Sequence, residues 1–158
     1  MDKAAVTRLL ALARGRGATF ATAESCTGGM VSAALTAVAG ASDVFDRGFV
    51  TYSNAAKQEM LGVSAETLAQ YGAVSEQVAR EMALGARARA GVSHAVSVTG
   101  IAGPGGSEFK PEGRVCFALA GPEGCVSVTV EFGAPGRDGV RAAACDYALG
   151  LLEKAVSA

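Results

Sequence analysis

Short β-compatible runs alternate with segments of helical length along this chain, and the last two runs are joined by a tight Gly121-Pro122-Glu123-Gly124 turn. Parallel strands need a long crossover, usually helical, whereas a hairpin enforces antiparallel pairing. The pattern therefore predicts an α/β fold, a three-layer α/β/α sandwich around a mixed, mostly parallel five-stranded sheet. With 158 residues, half of them apolar, the chain is long enough for one real core and too short for two ordinary ones. Residues 1–158 are expected to form a single domain.

Residues 2–15 read as an amphipathic helix capped by Asp2, with Val6, Leu9, Leu10 and Ala13 inward. A strand over 18–23 and a helix over 27–39 follow, then a strand over 47–52. Asn54 is expected to cap a short helix over 55–61, and Ser64 a short turn that ends near Gly72. A long helix over 75–90 leads to a strand over 94–99 and a Gly/Pro-rich loop over 100–113. The hairpin strands span 114–120 and 125–132, and a last helix begins near Asp138.

No apolar run approaches membrane-spanning length and no signal pattern opens the chain, which predicts a soluble, cytoplasmic protein with no membrane partner. A net charge of −1 gives no basic field for a nucleic acid. The four cysteines show no C-x-x-C spacing, so neither a metal nor a disulfide framework is expected. Cys116, Cys125 and Cys145 read as small buried hydrophobes.

In open α/β sheets ligands bind beyond the carboxyl ends of the strands. Glu24-Ser25-Cys26-Thr27-Gly28-Gly29 follows the first strand, Tyr52-Ser53-Asn54-Ala55-Ala56-Lys57 the second, and Thr99-Gly100 with the glycine loop the third. Gly136-Arg137-Asp138-Gly139-Val140-Arg141 follows the last. Taken alone, the Ser25 turn is better explained by a Ser/Thr helix N-cap with a glycine pair. The accumulation of small, polar and charged residues at one sheet edge favours a site.

Ser25 is the candidate nucleophile. The single histidine, His94, falls at the opposite end of its strand and is a poor base. Lys57, one of only four lysines against ten arginines, is the natural activator. Its place in a first helical turn, opposed to the helix dipole, and desolvation are both expected to lower its pKa, as in Ser-Lys hydrolases. The competing reading of Lys57 is a solvated surface cation. Tyr52 can relay or orient. Arg137 and Arg141 read equally as a phosphate clamp and as an exposed basic turn.

The stretches Ala23–Gly29, Gly48–Asn54 with Lys57, Gly72–Ser75 and Thr99–Gly106 resemble the CinA C-terminal domain family over nearly the whole chain. That family includes nicotinamide-nucleotide amidases. Where it usually has Gly-Asp-Arg before the last helix, this chain has Pro135-Gly136-Arg137, and the glycine loop is slightly short. The resemblance implies hydrolysis of nicotinamide mononucleotide to nicotinic acid mononucleotide and ammonia, without metal or cofactor. It implies Ser25 as nucleophile supported by Lys57 and Tyr52. Thr27, Gly28, Gly29, Thr99, Gly100, Gly103, Gly105, Arg137 and Arg141 are the expected substrate contacts. The expected oxyanion donors are N–H groups at the start of the second helix. The expected partners are a pyridine mononucleotide and further copies of the chain in a homo-oligomer. Two other readings remain: a catalytically silent nucleotide-binding or regulatory module, and a Cys26 thiol amidase.

Overall fold

The computed structural model describes residues 1–107 and 109–158; Glu108, inside the predicted loop, lies outside the described residues. Strands β1 (Phe20–Glu24), β2 (Phe45–Val50), β3 (His94–Gly100), β4 (Arg114–Gly121) and β5 (Gly124–Glu131) form one sheet in the order β2-β1-β3-β4-β5. β1 pairs in parallel with β2 and β3, whereas β4 pairs antiparallel with β3 and β5. One strand of the five thus runs against the others, as the hairpin requires.

Helices α1 (Lys3–Gly15), α2 (Met30–Thr36) and α6 (Arg137–Ser157) cover one face of the sheet. Helices α3 (Asn54–Leu61), α4 (Ala65–Tyr71) and α5 (Glu76–Ala90) cover the other. Side chains alternate across a strand, so Phe20 joins Leu9, Leu10, Val96, Phe117 and Leu149 on the first face. Ala21 and Ala23 meet Leu61, Met82 and Ala86 on the second. This second face is lined by small residues, which lets α5 lie close enough for Ser97 Oγ to donate to the Ala79 carbonyl at 2.6 Å. Among the described residues no helix is long and apolar enough to cross a membrane.

Several boundaries differ from expectation, each for a local reason. α2 begins at Met30 instead of Thr27, because Gly28 and Gly29 take φ of 57° and 104°, in the left-handed region that no right-handed helix contains. Gly40 opens a 3-10 turn over Ala41–Asp43 instead of closing α2. β1 and β2 are both shifted, and they end together because Val50 is registered against Glu24. The cap of α3 is Ser53, whose hydroxyl accepts from the Ala56 N–H at 3.0 Å, and Asn54 is the first helical residue. The turn after Ser64 is a true helix, α4.

The close approach of α5 has a measurable consequence. A Cβ on Gly85 would sit 1.9 Å from the Leu61 carbonyl oxygen, whereas one on Gly150 in α6 would meet nothing within 4 Å. Alanine normally stabilises a helix interior by about 1 kcal/mol over glycine. Gly150→Ala is expected to follow that rule, and Gly85→Ala to lose about 1–3 kcal/mol through overpacking. Urea denaturation of both variants tests the contrast.

Candidate active site

Three segments meet where the parallel strands end. Ser25 leaves β1 with its main chain still laddered, its N–H donating to the Val98 carbonyl at 2.9 Å. β2 ends one residue before Thr51, whose N–H donates to the Glu24 carbonyl at 2.8 Å. α3 then starts at once, and its fourth residue turns back toward the sheet. Lys57 is 1 % exposed, and its Nζ lies 3.0 Å from Ser25 Oγ and 2.8 Å from the Thr51 carbonyl oxygen.

No carboxylate pairs with Lys57 among the described residues. Desolvation lowers its pKa from 10.5 to about 8, against a smaller opposing effect of the Cys26 thiol. The surface-cation reading is therefore wrong for this lysine. Of the two expected causes, desolvation is the one seen here: burial disfavours the ammonium.

The dyad opens into a cavity of about 320 Å³ walled by Tyr52, Thr99, the loop from Gly100 to Ser107, and Arg137. Thr99 Oγ1 donates to the Ala73 carbonyl at 2.8 Å, which fastens the loop before α5 to the end of β3. Gly103 and Gly105 adopt φ of 87° and 79°, open only to glycine at low strain. At the far wall the Arg137 guanidinium donates to the Gly103 carbonyl at 2.7 Å and to the Tyr52 hydroxyl at 2.8 Å. Tyr52, 63 % exposed, thus engages Arg137; among the described residues it bonds neither Ser25 nor Lys57.

Four expected substrate contacts are not in the cavity wall. Arg141 reaches behind the Ser25 turn, donating to the carbonyls of Cys26 at 3.0 Å and Thr27 at 3.3 Å. Thr27 is fully buried with its hydroxyl on Glu24, and Gly28 and Gly29 shape the same turn. His94 begins β3 opposite Phe20, roughly 13 Å of strand from the Glu24–Val98 pair that precedes Ser25. Its poor standing as a base holds.

Cys26 lines the cavity, yet burial pushes its thiol up to about 11, leaving little thiolate near neutrality. This argues against the thiol amidase. Among the described residues no group of His, Cys, Asp or Glu is arranged to hold a metal ion.

Glu24 was not among the expected site residues, although it is fully buried beside Ser25. Its carboxylate accepts from the Val31 N–H at 2.9 Å and the Ser32 N–H at 3.0 Å. These N–H groups at the observed start of α2 are thus committed, whereas the Thr27 and Gly29 N–H groups, at the start of the helix expected over 27–39, donate to no residue among those described. The Cys26 N–H, next in the chain after Ser25, donates to no other residue among those described. The available signal was its place, an acid at the end of a strand and just ahead of a helix start.

The family model for the CinA C-terminal domain matches residues 2–156. The chain belongs to the CinA C-terminal domain family. It is 58 % identical over 128 residues to a protein of Enterobacter agglomerans named nicotinamide-nucleotide amidohydrolase PncC, covering 80 % of this chain and 78 % of that one. A protein of the same name from Escherichia coli strain K12 is 56 % identical over 140 residues, covering 88 % and 85 %. Among solved structures, the competence/damage inducible protein CihA from Agrobacterium tumefaciens is similar at a TM-score of 0.93 and 46 % identity, covering 99 % of this chain and 95 % of that one.

The buried lysine links stability to pH. Between about 8 and 10.5 the unfolded chain binds a proton that the folded chain has lost, so stability rises with pH across that window. Below it the folded chain must bury an ammonium. Denaturant titrations of wild type and Lys57→Met from pH 7 to 10 are expected to show wild type gaining on the variant above pH 8. A flat difference would mean that Lys57 is not desolvated.

Proposed function

We propose that the chain hydrolyses the carboxamide of nicotinamide mononucleotide to nicotinic acid mononucleotide and ammonia, with Ser25 as nucleophile and Lys57 as base. The observation that carries the reading is the buried Lys57 amine, with its lowered pKa, 3.0 Å from Ser25 Oγ at a cavity wall. The names of the two amidohydrolase relatives supply the substrate. In the proposed reaction neutral Lys57 takes the Ser25 proton and Oγ attacks the carboxamide carbon. The oxyanion is met by the Cys26 N–H, which donates to no other residue among those described. The tetrahedral intermediate collapses, Lys57 returns the proton to the departing nitrogen, and ammonia leaves. Water, deprotonated in turn by Lys57, hydrolyses the acyl-enzyme. We extend the proposal to a cytoplasmic homo-oligomer that feeds its product into pyridine-nucleotide recycling.

Ammonia release from the mononucleotide tests the reading. Ser25→Ala is expected to lose at least about a thousandfold in kcat with the fold intact, and Cys26→Ala to keep most activity. Because the base must be neutral, catalytic efficiency should rise with pH through a midpoint near 8. Lys57→Arg should be as damaging as Lys57→Ala, since a guanidinium keeps the charge but accepts no proton. A wild-type rate in Ser25→Ala would end the acyl-enzyme scheme; an active Lys57→Arg enzyme would assign the lysine a purely electrostatic role.

The 5′-phosphate falls to Arg137, the arginine in the cavity wall. Arg137→Ala is expected to weaken mononucleotide binding by about 1.5–3 kcal/mol, the value of a hydrogen bond to a charged group. It should change the already poor turnover of nicotinamide riboside little. Equal efficiency on riboside and mononucleotide in the wild type would remove the clamp.

A further inference from the structure

Apart from the thiols, Glu24 and Lys57 are the two buried ionisable side chains among the described residues. The mechanism uses only the second. Glu24 joins no ion pair among those residues. Its carboxylate is satisfied by donors from three places. Oε1 accepts from Thr27 Oγ1 at 2.7 Å and the Val31 N–H at 2.9 Å. Oε2 accepts from the Ser32 N–H at 3.0 Å, Ser32 Oγ at 2.8 Å and, at 3.4 Å, Thr22 Oγ1.

These contacts close a loop around the reacting turn. The main chain of Glu24 and Ser25 is pinned on both sides, by the Thr51 N–H on the Glu24 carbonyl and by the Ser25 N–H on the Val98 carbonyl. The chain must then reverse through Cys26, Thr27, Gly28 and Gly29 before α2 begins. Two of these residues are glycines with positive φ, which hold no conformation on their own. Thr27 fastens the middle of the turn to the carboxylate, and Val31 and Ser32 fasten its far end. The carboxylate also occupies the place that an external anion would take at the start of α2.

We propose that Glu24 is the positioning residue of the reacting turn: acting through Thr27, it fixes where Ser25 Oγ and the Cys26 N–H stand relative to Lys57. Such a residue acts on the rate more than on substrate affinity. A displacement of about 1 Å at reacting atoms is enough to slow chemistry on the order of a hundredfold.

This inference rests on the amidase reading for its turnover readout. A fluorophosphonate therefore gives a second readout, since Ser25 Oγ attacks phosphorus and expels fluoride whatever the natural substrate is. If wild type is labelled at Ser25 but releases no ammonia from the mononucleotide, the substrate reading fails and the labelling rate still decides the role of Glu24. The variants are Glu24→Gln, Thr27→Val and Ser32→Ala, with thermal unfolding measured alongside. Glutamine keeps the volume, but its amide must face either the Val31 or the Ser32 N–H, leaving that donor unpartnered. Thr27→Val cuts the link to the turn, and Ser32→Ala removes a donor on the α2 side only.

In Glu24→Gln and Thr27→Val both kcat and the labelling rate are expected to fall about 10–100-fold, with KM within about threefold of wild type. Ser32→Ala should hold both rates within about threefold at a comparable loss of stability. A folded Glu24→Gln with wild-type rates overturns the proposal. So do rates that track lost stability alike in Thr27→Val and Ser32→Ala, for then the carboxylate only holds α2 in place. Should Glu24→Gln fail to fold, the Thr27–Ser32 comparison decides alone.

Discussion

An amine removed from water with no carboxylate beside it relieves its desolvation by giving up a proton. Lys57 is in that position, and the reactivity proposed for Ser25 depends on it. What keeps the amine dry is the packing of α3. That helix is short, and it is held by the Ser53 cap at its start and by Leu61 at its end. Leu61 sits in the core beside Met82 and Ala86, and its carbonyl presses on the glycine face of α5 at Gly85. The chemistry of one nitrogen therefore traces back to the missing side chain of a residue in another helix.

Lys57 and Glu24 are buried at the same end of β1, and forming an ion pair would have been the simplest way to satisfy both. The strand keeps them apart. Glu24 points to the α2 side, where hydroxyl and main-chain donors stabilise its charge without neutralising it. Ser25, the next residue, meets Lys57, which arrives from α3 in the opposite layer. A direct pair would hold the amine protonated and useless as a base. Period-two alternation at a strand end thus allows a carboxylate that orders the turn and an amine free to titrate, with only a serine between them.

Much of this was legible in the residues. Strand–helix alternation and the Gly121–Gly124 hairpin carry the layers and the antiparallel strand, and the caps at Asp2 and Ser64 mark helix starts correctly. The Ser25 turn and Lys57 could be chosen because the parallel strands end together. What the sequence concealed was depth. Lys57 lies four residues before Leu61, and residues at that spacing share a helix face, so the core leucine was the clue to its burial. Glu24 looked like part of the turn because β1 was placed one residue short. Gly28 and Gly29 looked like room for a ligand, whereas their left-handed backbone delays α2 and makes the turn itself.

Arg137 and Arg141 show how spacing alone misleads about role. One helical turn apart, both reach toward the carboxyl edge of the sheet, and in sequence they look like two halves of one clamp. In space the rim of the turn falls between them. Arg137 joins the glycine loop to Tyr52 across the cavity wall. Arg141 lies behind, taking the carbonyls of Cys26 and Thr27 with Gly28 close against its guanidinium. Those carbonyls belong to the peptide groups that follow the proposed nucleophile. Drawing them back toward Arg141 helps fix the planes of those peptides, and with them the direction of the Thr27 and Gly28 N–H groups. The turn is thus gripped twice, from the strand side by the Glu24 carboxylate and from the α6 side by the Arg141 guanidinium. The first grip holds side-chain and main-chain donors and the second holds acceptors, so neither charge can stand in for the other.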